Sequence, residues 1–416
     1  DILKQDPAEV YDKMDYKTKI EYRNKIKEIS KKTKISEIYI AKKALELAKR
    51  SESLETEKNI ETKETEDTER KKKSHIGYYI LSDGKKELLE MLTEKKVKIF
   101  SNNTKVKLYV ASIITFTLLI TIAISFVFYQ STKLLLPTIL LGILLLLPIE
   151  NIVVQVIQTI LGKIVKPKLI PKMYFEKEIP KEYATFVVIP TIVKSADKVK
   201  EMMKKLEVYY LANKSENLYF ALLGDCSSGK NETESFDQEV IEAGLKMAEK
   251  LNKKYENAEF PKFHFLYRAR TWNSKEECYI GWERKRGLLN QFNEIVLSNM
   301  QEKAVSNSFI EDNSEEENIS SKKGSICKKA FQANTLENIK IPFIRYVITL
   351  DADTELTLNS GLELIGAMAH ILNKPVLNTN KNLVIEGHGM MQPRIGIDLE
   401  ASNKSIFTKI YAGSGG

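Results

Sequence analysis

An uncharged apolar run from Leu108 to Phe128 constrains this chain more than any other feature, because roughly 20 such residues cross a hydrocarbon core. A second run, Leu134 to Ile149, follows after Tyr129-Gln-Ser-Thr-Lys133, with Pro137 and Pro148 near its ends. It is short for a span, and a buried soluble helix is its other reading. The close spacing of the two runs favours a transmembrane hairpin. Lys95, Lys96, Lys98, Lys105 and Lys107 precede the pair, Lys163, Lys166, Lys168 and Lys172 follow it, and only Lys133 lies between. The positive-inside rule then puts both flanks in the cytoplasm. Behind the second run, Ile152, Val153, Val156, Ile157, Ile160, Leu161 and Ile164 recur at helical spacing opposite Gln155, Gln158, Thr159 and Lys163. This segment is either an amphipathic helix in the membrane interface or a continuation of the second span.

At 416 residues and 43% hydrophobic, the chain has room for two or three domains with sizeable cores. We divide it into a charged, helical cytoplasmic region (1–100), the hairpin with its trailing helix (105–165) and an α/β domain (170–416). In the first, Asp6-Pro7 pairs a capping residue with a proline suited to the first helical turn, which predicts a helix start. Lys-rich helical sequence then runs to about Arg50. The Glu/Lys/Thr stretch Ser51–Lys73 predicts a flexible linker, and His75-Ile-Gly-Tyr-Tyr-Ile-Leu81 a short strand or turn. The net charge of +8 reads as solvated surface with a basic bias toward the membrane, and no basic run interleaved with aromatics points to nucleic acid. Cys226, Cys278 and Cys327 show no Cys-x-x-Cys spacing and histidine is scarce, so neither a disulfide framework nor a zinc site is expected and a reducing compartment fits. No cleavable signal peptide is visible. The start at Asp1 and the end at Gly416 read as those of a fragment.

From Tyr183 onward, strand and helix alternate. Phe186–Pro190, Leu218–Leu223, Lys262–Tyr267 and Tyr346–Leu350 read as strands; Lys198–Tyr209, Glu234–Leu251 and Glu283–Leu297 read as helices. This rhythm predicts a mostly parallel sheet flanked by helices, broken by a Glu/Ser/Asn-rich, mobile insertion at about 298–341. The last strand reads as buried and ends in Asp351-Ala-Asp353, a carboxylate pair spaced i, i+2 and so expected on one face. Two hard oxygen ligands at a strand's C-terminal end suit Mg²⁺ or Mn²⁺ shared with a diphosphate.

Two other sites carry possible chemistry. Gly224-Asp-Cys-Ser-Ser-Gly-Lys230-Asn231 nearly spells a phosphate loop but has Asn231 where Ser or Thr would ligate Mg²⁺. A better use of that turn is Asp225 accepting hydrogen bonds from a nucleobase or ribose. Trp282-Glu-Arg284-Lys285-Arg286-Gly287 sets three cations at a helix start, where a diphosphate can be met. A solvated basic turn is the plainer reading. Val-Ile-Thr-Leu-Asp351-Ala-Asp353-Thr also fits a haloacid-dehalogenase-type phosphatase, with Asp351 as nucleophile and Asp353 as acid/base. Those enzymes keep most of their sheet after the motif, whereas here the strands come before it.

The order suits a glycosyltransferase of the GT-A fold. Lys285-Arg-Gly-Leu-Leu-Asn290 resembles the Lys-x-Gly-x-Leu-Asn element of processive membrane sugar transferases, and Gln392-Pro393 their Gln-x-Pro strand. Tyr267-Arg-Ala-Arg-Thr-Trp-Asn273, Gly281-Trp-Glu-Arg-Lys-Arg-Gly287, Tyr346–Thr354 and Glu386-Gly-His-Gly-Met-Met-Gln-Pro-Arg394 resemble the glycosyltransferase module of cyclic β-1,2-glucan synthases. The likeness continues through Gly77-Tyr-Tyr and Asp6-Pro-Ala-Glu-Val-Tyr11. Departures are Gly224 where Ser is expected, Leu288 where Lys is usual and His388 where Tyr is usual.

The resemblance implies UDP-glucose as donor, a β-1,2-glucan acceptor, a bacterial inner membrane with the catalytic domain cytoplasmic, and downstream membrane and phosphorylase-like modules. It implies Asp351 and Asp353 as catalytic and metal-binding residues. Thr191, Asp225, Lys285 and Arg286 would hold the nucleotide sugar. An α-glycosidic donor and a β product mean inversion, which needs a general base. None is convincing here; Glu386 is better read as structural, at the start of the Gln392 strand. The alternative to an enzyme is a non-catalytic nucleotide-sugar-binding scaffold or sensor in the membrane.

Overall fold

The computed structural model describes residues 2–56, 64–94, 102–165, 167–176, 178–256, 259–307, 330–337, 339, 341–378, 381, 383–396 and 402–412. They fall into two compact units, one of Asp1–Tyr11, Tyr16–Thr62 and Glu69–Ile170, the other of Asp12–Asp15, Lys63–Thr68 and Pro171–Gly416.

The first unit begins with α1 (Tyr16–Thr33) and α2 (Glu37–Thr56); α3 (Glu64–Lys73) leads on to α4 (Ile76–Leu81) and α5 (Lys85–Thr93). Tyr22, Ile26 and Ile29 on α1, Ile40, Ala44 and Leu47 on α2, and Ile76, Tyr79 and Ile80 on α4 recur at helical spacing and are buried together. Three expectations are corrected here. Asp6 starts no helix: its buried carboxylate accepts from the backbone N–H groups of Ile76 (2.9 Å), Val10 (3.1 Å) and Tyr11 (3.2 Å) and bonds His75 Nδ1 (2.7 Å). His75 Nε2 in turn meets the Tyr22 hydroxyl at 2.7 Å. Burial raises the Asp6 carboxyl, but these hydrogen bonds outweigh it and hold the group below the usual carboxylate range. Second, Ile76–Leu81 is a helix, because packing its i, i+3, i+4 face overrides the β-propensity of its residues. Third, the proposed linker is helical at both ends, residues 51–56 within α2 and 64–73 in α3; residues 57–63 lie outside the described set.

The same unit holds α6 (Asn102–Thr132) and α7 (Leu135–Ile164), which pack on each other across a two-residue turn in which Lys133 takes a left-handed φ of 57°. So short a turn forces an antiparallel pair. Both helices are long and apolar enough to cross a membrane, with only 11% of each apolar window buried. The second run is therefore part of a longer helix: α7 carries on without a break through Ile164, past Pro148, so the trailing segment continues the same helix. Lys95, Lys96, Lys98 and Lys166 lie outside the described residues.

In the second unit the order is β1 (Thr185–Ile192), α8 (Ala196–Ala212), β2 (Leu218–Asp225), α9 (Asp237–Lys254), β3 (Phe263–Arg268), β4 (Thr271–Asn273), β5 (Cys278–Ile280), α10 (Arg284–Asn307), β6 (Phe331–Asn334), β7 (Tyr346–Thr349), α11 (Ser360–Ala369), β8 (Val376–Asn378), β9 (Leu383–Glu386) and α12 (Ile406–Ala412). The main sheet runs β6-β3-β2-β1-β7, parallel throughout except for β6. Strand periodicity sorts its core. Val187, Ile189, Phe220, Leu222, Phe265 and Tyr267 face α8 and α9, while Phe186, Val188, Tyr219, Ala221, Leu223 and Leu266 pack with Leu288, Phe292 and Ile295 of α10. The expected mostly parallel sheet flanked by helices is what forms. Leu288 has no exposed surface, which makes an apolar residue the fitting one where Lys is usual.

Two further expectations fail. Among the described residues β7 is an edge strand with Val347 and Thr349 exposed rather than a buried one. Gln392-Pro393 lies in irregular chain: the preceding strand, β9, ends at Glu386, and Gly387 turns the backbone away at φ 72°. A Cβ there would sit 2.0 Å from the Lys374 carbonyl. Residues 308–329 of the expected insertion lie outside the described set, and 298–307 extend α10.

Candidate active site

The chain lays down β1, β2 and β3 in one direction across the sheet, then returns to add β7 on the other side of β1. Strand order therefore reverses between β1 and β7, and in open α/β sheets ligands bind in the crevice that such a reversal opens at the strands' carboxyl ends. The β1/β7 ladder stops at Val188↔Thr349. Pro190, with no amide hydrogen to offer, follows just beyond it. Thr191 and Ile192 then pair with Gly224 and Asp225 of β2.

Asp351 and Asp353 emerge beside this opening. They do not share a strand face as expected, because β7 ends at Thr349 and residues 351–354 form a turn closed by Thr354 N–H to Asp351 C=O (3.0 Å). Helix α8 fixes that turn from below. Lys205 Nζ donates to the Ala352 carbonyl (2.7 Å) and the Tyr209 hydroxyl to the Thr354 carbonyl (2.6 Å); Asn213, just past the helix end, donates from Nδ2 to the Thr357 carbonyl beyond the turn (3.2 Å). Burial pushes the Tyr209 phenol up to about 12, so it is a permanent donor at neutral pH.

The start of α10 meets the same turn: Lys285 Nζ pairs with Asp351 Oδ1. Arg286 instead pairs with Glu283, its Nε donating at 2.7 Å. Glu283 and Arg284 both have φ of 50°, a left-handed backbone that non-glycine residues hold only under constraint and that recurs at ligand sites. Gly287 is required here, since a Cβ would lie 1.9 Å from the Trp282 carbonyl.

Asp225 is enclosed rather than open. It is 3% exposed, Arg268 Nη1 lies 3.5 Å from its Oδ1, and the backbone of Gly281 passes so close that a Cβ would fall 2.2 Å from that oxygen. Burial raises its pKa, against the pull of Arg268 and Arg284. Arg268 also donates to the carbonyls of Arg284 (2.7 Å) and Trp282. The loop after β2 is held by Arg270, which pairs with Asp237 and donates to the Ser227 carbonyl (2.8 Å), and by the Tyr267 hydroxyl on Asp237 (2.7 Å). Gly229 exchanges two backbone hydrogen bonds with Tyr279 (2.9 Å each), and α9 starts only at Asp237. The Gly229 and Asn231 amides are thus committed, the latter to Glu234 Oε1 (3.3 Å), and no helix follows Lys230 directly, which argues against the phosphate-loop reading.

Thr191, Asp225, Lys285, Asp351 and Asp353 all belong to the carboxyl-end face of one sheet, with Lys285 and Asp351 in contact. Sequence reasoning missed Arg268, Lys205 and Tyr209, and named Arg284 only as one of three cations at the helix start. Cations placed directly after a buried strand were the available signal for Arg268; nothing local marks the two α8 residues. Arg284 Nη1 and Arg270 Nη2 are buried donors without a hydrogen-bond partner among the described residues, a pattern that suits an anion.

No family model matches the chain. Over 270 residues, 65% of its length, it is 29% identical to the cyclic beta-(1,2)-glucan synthase NdvB of Rhizobium meliloti (strain 1021). The chain spans only 8% of that much longer protein. The resemblance read from its motifs is borne out: this chain is a sequence relative of a cyclic β-(1,2)-glucan synthase.

Proposed function

We propose that the chain is a membrane-anchored, inverting glycosyltransferase module that moves glucose from UDP-glucose onto a growing β-1,2-glucan. One observation carries the reading: the cation at the start of α10 and the carboxylate after β7, distant in sequence, meet at the crevice where strand order reverses. A nucleoside diphosphate needs this pairing of chemistries, a positive side chain for its phosphates and carboxylates for a bridging cation. The similarity to NdvB supports glucan synthesis as the task.

The residues fit a hard divalent ion of the Mg²⁺ or Mn²⁺ type. No cluster of three or more His, Cys, Asp or Glu exists among the described residues. Asp351 and Asp353, both exposed, would supply two oxygens and leave the remaining positions to diphosphate and water, as Mg²⁺ prefers. When bound, the ion would neutralise charge on the departing diphosphate. In this reading Lys285 turns from Asp351 to the phosphates, with Arg286 and the unpaired Arg284 donor nearby. Asp225, set by Arg268, accepts from the uridine at the end of β2, beside Thr191. Glu386, last in β9 and laddered to Val376, keeps a structural part, and we assign the general base to no residue of this chain. The helical hairpin α6–α7 would hold the module on the cytoplasmic face of the inner membrane, where UDP-glucose is made.

Titrating UDP into the chain in nanodiscs, with and without Mn²⁺, tests the reading. Binding should strengthen with the metal, and Asp353→Ala should remove that increment. Metal-independent binding, or an unaltered increment in the variant, refutes the donor site; turnover in the longer protein separates an enzyme from a sensor.

A further inference from the structure

The chain has two tryptophans, and both are exposed, Trp272 by 55% and Trp282 by 47%. A ring that costs this much to leave in water is worth explaining. Trp272 pairs with Tyr279 across the small β4–β5 ribbon, their rings 5.1 Å apart at 64°. The ribbon is well tied. Thr271 Oγ1 donates to the Ile280 carbonyl (3.2 Å), Asn273 Oδ1 accepts from the Lys275 amide (3.0 Å), and Tyr279 is bridged to Gly229. Tyr279 therefore braces the indole edge-on from a fixed position, and more than half of Trp272 stays open to a ligand.

The root of the ribbon leads straight into the proposed transfer site. Gly281 lies over Asp225, the Trp282 carbonyl is held by Arg268, and Lys285 reaches Asp351. Resting on the transferase reading above, we propose that Trp272, braced by Tyr279, is a stacking platform for glucose rings of the acceptor glucan. The faces of a β-glucose ring carry only C–H groups, whose partial positive charge suits the negative face of an indole. In that reading a nucleobase is taken by Asp225. Hydrocarbon is a poor alternative, because the tip of the ribbon is Asn273-Ser-Lys275-Glu-Glu277, with residues 274–277 exposed.

With only two indoles, intrinsic fluorescence reports the site directly. In the full chain in nanodiscs, Trp282→Phe leaves Trp272 as the sole indole. A β-1,2-linked glucotetraose should shift its emission saturably, and the α-1,4-linked tetraose should not. Trp272→Phe, which leaves Trp282 alone, should give no such shift, and Tyr279→Ala should raise the half-saturating concentration by about fivefold. UDP affinity of Trp272→Phe and Tyr279→Ala, followed by calorimetry, should match the unsubstituted chain. An unmoved Trp272 emission in a chain that still binds UDP overturns the platform. So does a shift produced by UDP alone, or quenching of Trp272 by brominated lipid. A tetraose-dependent shift in a chain that fails to bind UDP would keep the platform and remove the transferase reading instead.

Discussion

Tyr209→Phe is the sharpest probe of how the carboxylate turn is held. The phenol is 2% exposed, and its hydroxyl donates to the Thr354 carbonyl at 2.6 Å, inside the turn that carries Asp351 and Asp353. Phenylalanine keeps the ring, its burial and its packing on Leu206 and Met203 of the same core, and deletes one hydrogen bond. Such a bond contributes about 1 kcal/mol net. If the turn must be orderly for a cation to bridge Asp351, Asp353 and a diphosphate, that energy reappears as ordering cost on binding. Metal-dependent UDP affinity should then fall about fivefold, the factor that roughly 1 kcal/mol gives. UDP binding without metal should not move, because Asp225 sits on β2, outside this turn. Calorimetric titrations at fixed Mn²⁺ and in its absence measure the two. Metal-dependent affinity within about twofold of the unsubstituted chain, in a variant whose stability has dropped by the expected ~1 kcal/mol, would show that the tether is structural only.

Asp225→Ala should weaken UDP by about 1–3 kcal/mol while sparing inorganic pyrophosphate, whereas Lys285→Ala should weaken both; Lys230→Ala should be neutral, and a dominant loss there would refute the assignment of the site. A cysteine at Ser131, beside the α6–α7 turn, should react with an impermeant thiol reagent in intact cells and one at Ser195 should not; the reverse pattern refutes the orientation. His264 is fully buried, and desolvation lowers its pKa to about 4 from 6.5 despite its bonds to Pro261 and Thr335. The folded state thus binds fewer protons than the unfolded one between these values, so the neutral imidazole's stability is complete above about 6.5 and drains away as pH falls toward 4, by about 3 kcal/mol in all. Protection factors of the β3 amides, each referred to the intrinsic exchange rate at its own pH, should fall from pH 7 to pH 5, and His264→Gln should flatten that dependence; an unchanged slope would assign the acid sensitivity elsewhere.

The alternating pattern made the α/β unit legible: the strands of the main sheet read from it and the helices α8 and α9 fall within a few residues of their places, while α10 runs ten residues past its expected end and the Gln392 strand does not form. Short continuous apolar runs rich in β-branched residues, such as Phe186–Ile189, suit a strand buried on both faces, and their spacing between helical segments places them in a parallel sheet. What stayed hidden was set by distant partners. Asp6 beside Pro7 looks like a helix cap, and only the approach of Ile76 and His75 makes it a buried hub. The stretch after His75 carries strand-forming residues, yet its burial against α1 and α2 decides for a helix. At the site, the residue types of Asp351, Asp353 and Lys285 were legible, but their meeting depends on β7 joining β1. The supports Lys205 and Tyr209 sit on an ordinary amphipathic helix, where one lysine and one tyrosine carry no local sign of what they hold.

That joining also sets a timetable. β1, β2 and β3 follow one another along the chain and can pair as synthesis proceeds, but Thr185 waits for Tyr346 before its other edge is covered. Contacts so far apart along the chain are slow to close. The crevice between β1 and β7 is accordingly the last part of the sheet to exist. A nascent or partly opened chain can have a finished three-strand core and no crevice, so whatever that crevice binds can be held only once folding is complete.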